Sequence, residues 1–206
     1  ASGGRIGRMH GTDRAIVYRL AAFTGLRAQE IASLTPRSFD LDADPPTVTV
    51  DACYSKHRRK DVLPVADDLC RRLRTYLSQR EKVRRGGDER LWPGKWFRKA
   101  GEILQRDLAA ARESWLDEAR NRTLRKERDE SDYLRDVDAT GQVVDFHSLR
   151  HGFITHLVMA NVAPKVAQAL ARHSTITLTM DRYTHLGMGD LVEAVGRLPV
   201  ARVNVP

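Results

Sequence analysis

The patterned segments of this chain mostly carry apolar residues at three- and four-residue steps, and one carries a strict alternation, which points to a mainly α protein with one small antiparallel β-sheet. The alternating segment is Thr47-Val48-Thr49-Val50, β-branched throughout, which reads as a strand running on toward Tyr54. A basic turn follows, Ser55-Lys56-His57-Arg58-Arg59-Lys60, and the chain returns through Val62-Leu63-Pro64-Val65, which makes a β-hairpin with a cationic tip. Before it, Ile16, Val17, Leu20, Ala21 and Phe23 mark a helix over 13–23, stopped at Gly25, and a short helix is expected over 28–34. After it, helices are expected over 66–80 (Leu69, Leu73, Tyr76, Leu77), 96–115, 148–160, 164–172, near 175–183 and over 190–197. Asp117 to Asp132 carries charges of both signs with only Ala119 and Leu124 as apolar anchors, so 116–132 reads as a solvated helix extension, a loop or an insertion. Asp138-Ala139-Thr140-Gly141 reads as a turn before Val143-Val144. One domain is expected over 12–198, with 1–11 as a flexible linker and 199–206 as a tail.

Composition narrows the partners. Hydrophobic residues make up 41% of the 206, enough to fill a core, and 35 Lys+Arg against 27 Asp+Glu leave a net charge of +8. Such a surface attracts polyanions, of which nucleic acid is the commonest. The two cysteines, Cys53 and Cys70, have no CxxC spacing and read as thiols of a reducing compartment. No apolar run approaches the roughly 18 residues that a membrane span needs, and Ala1 to Gly7 lacks the apolar stretch of a signal peptide. A cytoplasmic protein in contact with the nucleoid, with no membrane partner, is the expectation.

Three segments can carry chemistry. In Thr24-Gly25-Leu26-Arg27-Ala28-Gln29-Glu30-Ile31, a glycine permits a tight helix end and the next helix opens on an arginine, whose planar fork matches a phosphate. In His147-Ser148-Leu149-Arg150-His151, helical spacing lets His147 and Arg150 face one ligand. The third segment runs from His173, just past a helix end, to Tyr183 ten residues later. Taken singly, each is also what an ordinary helix corner or surface helix looks like.

In this order and spacing, Arg27, Lys56, His147, Arg150, His173 and Tyr183 resemble the active-site boxes of the tyrosine recombinases, the phage integrase family. The 23-residue gap between Arg150 and His173 is usual for that family, and the likeness spans about Thr12 to Leu198. It implies the catalytic-domain fold of those enzymes and a DNA strand transfer through a 3′-phosphotyrosine, with no metal and no cofactor. It also implies roles. Tyr183 is the nucleophile, Arg27 and Arg150 clamp the phosphoryl oxygens, and His147 is the base. His173 hydrogen-bonds the phosphate, and Lys56 protonates the departing 5′ oxygen. Glu30 braces Arg27. Arg58, Arg59 and Lys60 on the hairpin, and Arg172, are read as further DNA contacts. Double-stranded DNA is the implied partner, with a tetramer of the full-length chain on two DNA sites. Lys56 is preferred over Lys60 by its distance from the returning strand, and His147 over its neighbour His151 by the three-residue step to Arg150.

The likeness has one departure and leaves other readings open. The family commonly has Leu-Gly before the position of His173, and Ala171-Arg172 stands here. Only about 12 residues precede the first helix, so the family's N-terminal DNA-binding domain is expected to be absent and the chain to be the catalytic part of a longer protein. The four-residue step from His147 to His151 also suits zinc on one helix face, although no Glu follows His147 as in metalloprotease helices. A non-catalytic DNA-binding module of the same fold and a type IB topoisomerase remain as alternatives.

Overall fold

The computed structural model describes residues 4, 6, 9–55, 58–81 and 88–180. The chain divides into two units, Ala1–Phe153 and Ile154–Pro206. The first begins with helix α1 (Gly11–Thr24) and helix α2 (Ala28–Ser33). A three-stranded antiparallel sheet follows, of β1 (Phe39–Asp40), β2 (Thr47–Val50) and β3 (Asp61–Pro64), in the order β1-β2-β3. Helices α3 (Asp67–Glu81), α4 (Ala100–Asp117) and α5 (Arg122–Glu130) come next, with a 3-10 turn at Trp96–Lys99 before α4. Helix α6 spans Phe146–Met159. The second unit adds α7 (Pro164–Ala171) and α8 (Thr177–Met180), which pack on each other.

One face of α1 explains its place. Ile16, Val17, Leu20 and Ala21 are buried with Leu26, Ile31, Val48, Val50, Leu73 and Trp92 in the core, while Phe23, at the edge of the stripe, is half exposed. In the sheet, Val48 pairs with Leu63 and Val50 with Asp61, and this register turns Val48, Val50 and Leu63 inward and Val62 outward. The strand expected to run on toward Tyr54 ends at Val50, because the Tyr54 and Ser55 amides both donate to the Asp51 carbonyl and turn the chain there. β1 was not anticipated; two residues are too few to show an alternation.

Buried polar networks fasten the helices to one another. Arg14 on α1 meets Asp107 on α4 in a two-bond pair, Nε to Oδ2 at 2.7 Å and Nη2 to Oδ1 at 2.9 Å, and the Tyr18 hydroxyl donates to Oδ2 of the same carboxylate. Asp13 accepts from the Tyr76 hydroxyl and from Arg80, and Tyr76 in turn accepts from Trp92 Nε1 at 2.8 Å. The charged stretch after Asp117 forms a separate short helix, α5, rather than an extension of α4. Asn121 caps it by accepting from the Leu124 amide, Arg128 lies over the Trp115 ring, and Trp115 meets Tyr133 edge-on at 4.8 Å. No helix among the described residues is long and apolar enough to cross a membrane.

Candidate active site

The corner between α1 and α2 is built by Gly25. It caps α1 in the left-handed conformation (φ 65°), its N–H donating to the Ala21 carbonyl. A side chain there would also collide with Phe153, since a Cβ would stand 2.7 Å from Phe153 Cδ1. Thr24 closes the same corner, its hydroxyl donating to the Leu20 carbonyl. The next turn opens with Arg27 at the start of α2. Glu30, whose side chain is only 2% exposed, accepts from the Arg27 amide at 2.7 Å and from Arg27 Nη1 at 3.2 Å. One carboxylate therefore both caps the helix and steers the guanidinium.

Helix α6 delivers the second arginine to the same corner. Arg150 is buried and donates from Nη1 to the Gly25 carbonyl. One turn earlier stands His147. Asp145 and Ser148 cap the helix reciprocally, Asp145 Oδ1 accepting from the Ser148 amide at 2.8 Å and Ser148 Oγ from the Asp145 amide at 3.1 Å. Arg27, His147 and Arg150 line one pocket of about 250 Å³, together with Phe97, Arg98 and Asp145. Partial withdrawal from water, then the like charges of His151, Arg150 and Arg27, push the His147 pKa below its ordinary value, with Asp145 opposing. The ring is thereby kept neutral and able to accept a proton. His147 and His151 meet edge-on at 4.8 Å, and no group of three or more His, Cys, Asp or Glu among the described residues could hold a metal ion.

Lys56 and Tyr183 lie outside the described residues. Arg58, Arg59 and Lys60 are exposed on the hairpin, and Asp61 at its base is buried, accepting from Ser55 Oγ at 2.8 Å and from Arg59 Nε at 3.3 Å. In the second unit, the His173 amide donates to the Gln168 carbonyl, and its Nδ1 is 3.0 Å from the buried Thr179 hydroxyl, which holds the ring. Arg172 takes the left-handed conformation at the end of α7 (φ 54°) where the resembling family has glycine, and it is only 3% exposed. Its burial is like that of Arg150, which is 2% exposed. Sequence reasoning passed over Asp61, Arg98, Asp145, Phe153 and Thr179. Only Asp145 left a signal, the capping pattern Asp-x-x-Ser ahead of an apolar run.

The family model described as the phage integrase family matches residues 8–189. A tyrosine recombinase of Thermosipho africanus is 26% identical over 182 residues, covering 87% of this chain and 52% of that protein. Tyrosine recombinase XerC of Halalkalibacterium halodurans is 27% identical over 166 residues, covering 79% of this chain and 46% of that protein. This chain thus spans about half the length of the curated relatives it matches. Among solved structures, the Tn1549 transposon integrase in complex with transposon right-end DNA aligns over 95% of this chain and 61% of that one, with a TM-score of 0.58 and 19% identity. That likeness shows a shared fold.

Proposed function

Because this chain belongs to the phage integrase family, we propose that it performs the strand cutting and rejoining of a site-specific DNA recombinase, with Tyr183 as nucleophile. The observation that carries the proposal is that Arg27, His147 and Arg150 line one small pocket together. Attack by the Tyr183 phenol oxygen on a DNA phosphorus forms one P–O bond and breaks the bond to the 5′ oxygen. His147, neutral because its pKa is lowered, takes the phenol proton, whose ordinary pKa is about 10. Lys56 gives a proton to the departing 5′ oxygen. The product is a 3′-phosphotyrosine and a free 5′-hydroxyl, and a 5′-hydroxyl from a second strand reverses the steps.

Arg27 and Arg150 act where charge grows. The two non-bridging oxygens gain negative charge in the transition state, so donors fixed toward them lower the barrier more than they tighten ground-state binding. Both guanidiniums are fixed in advance, Arg27 by Glu30 and Arg150 by the Gly25 carbonyl. They supply the positive charge that a divalent ion supplies in many nucleases. His173, its ring held by Thr179, donates to the same phosphate. Double-stranded DNA is the partner, supported by the net charge of +8 and by the DNA-bound state of the Tn1549 neighbour. Arg58, Arg59 and Lys60 give phosphate contacts on the hairpin side, and the full-length chain works as a tetramer on two DNA sites in the cytoplasm.

The test is a suicide duplex carrying the repeats that flank the coding sequence, nicked so that the cleaved fragment diffuses away. A covalent protein–DNA adduct is expected, lost in Tyr183→Phe and kept in Tyr133→Phe, a change at an exposed phenol. An adduct that persists without the Tyr183 hydroxyl overturns the assignment.

A further inference from the structure

Arg98 stands apart from the other arginines of the pocket. It lies on the 3-10 turn Trp96–Lys99, lines the same pocket as Arg27, His147 and Arg150, and is exposed. Its guanidinium has no hydrogen-bond or carboxylate partner among the described residues. The turn itself is anchored, because Trp96 Nε1 donates to the Trp92 carbonyl at 3.1 Å and the Trp96 ring meets Phe146 edge-on at 6.1 Å. A firmly seated turn therefore holds out an unbraced cation at the mouth of the pocket.

Depth and bracing separate the three arginines. Arg150 is 2% exposed and bound to a carbonyl, and the Arg27 side chain is 26% exposed and bound to Glu30. Groups that must meet a transition state are held beforehand, and those two are. A long, solvated, unheld arginine suits a charge that does not change during the reaction. We infer that Arg98 binds the phosphate next to the scissile one, positioning the strand so that the scissile phosphate enters between Arg27 and Arg150. The inference rests on the function proposed above, and nothing in the linear pattern that suggested the other site residues points to Arg98.

Binding of a fluorescent 30-base-pair duplex, measured by anisotropy over a series of salt concentrations, tests it. Each duplex phosphate neutralised contributes a slope of about 0.9 in log Kd against log salt. Arg98→Ala is expected to lower the slope by about 0.9, and Arg98→Lys to restore it, with the melting temperature unchanged in both. Two cations on separate phosphates add, so Arg27→Ala/Arg98→Ala is expected to lose about 1.8. An unchanged slope in Arg98→Ala overturns the inference. So does a double variant that loses no more than Arg27→Ala alone, since the two arginines would then share one phosphate. Salt-dependent binding with these slopes but no Tyr183 adduct would sink the recombinase reading and leave the Arg98 contact standing. No binding by the unaltered protein would overturn both.

Discussion

Arg150 reaches across 125 residues of sequence to donate to the carbonyl of Gly25. That bond ties the helix carrying His147 to the corner that presents Arg27. The backbone conformation at Gly25 thus sets the position of two arginines at once, one through the chain and one through its carbonyl oxygen.

Gly25→Ala should therefore harm both stability and chemistry. A residue with a Cβ in the left-handed region costs about 1–2 kcal/mol, and contact with the Phe153 ring at 2.7 Å adds overpacking of about 1–3 kcal/mol. Denaturant unfolding should show a loss of about 2 kcal/mol or more, with adduct formation reduced further than the unfolded fraction explains. Phe153→Leu in the same chain should recover part of the stability. A fully stable Gly25→Ala protein would contradict this account of the corner.

Glu30 serves two donors on Arg27, so its variants should separate folding from chemistry. Glu30→Gln keeps an acceptor for the amide but loses the charge that steers the guanidinium. Removing a group that orients a site residue usually lowers activity about 10–100-fold. We expect single-turnover adduct formation to fall within that range while the far-ultraviolet circular dichroism is kept. Retention of full rate would show that Arg27 needs no brace.

The pKa of His147 lies below its ordinary value of 6.5, so the folded protein takes up a proton there less readily than the unfolded chain. The stability linked to this group is complete above about pH 6.5 and declines as pH falls from there through the folded value. Adduct formation should likewise hold its plateau below pH 6.5 before dropping. His151→Asn removes a neighbouring positive charge, so the acid limb should move to higher pH. Proton NMR titration of the His147 ring in both proteins checks the shift; an unmoved value would dismiss the influence of His151.

The Arg14–Asp107 pair is the main charged link between α1 and α4, and both side chains are almost wholly buried. Breaking a buried pair from one side leaves the other charge without compensation and typically costs about 3–5 kcal/mol. Asp107→Ala should lose an amount of that order in urea unfolding, whereas Arg14→Met/Asp107→Leu should lose clearly less. Equal losses would mean that packing, and not the stranded charge, dominates.

The sequence by itself determined the element types and the chemistry available. Helical spacing, the Thr47–Val50 alternation, the helix stop at Gly25 and the step from His147 to Arg150 are local properties, governed by backbone sterics and side-chain period over a few residues. The matched order of site residues named the family for the same reason. The tertiary structure alone decided which side chains share a pocket. The bond from Arg150 to Gly25, the Phe153 ring against the corner, the Asp61 brace of the hairpin and the place of Arg98 beside Arg27 all join segments distant in sequence or turn on which way a side chain faces. Arg172 marks the limit of local reading, since a surface-type residue one position before His173 is buried. Burial is a property of what surrounds a residue, and no linear pattern carries it.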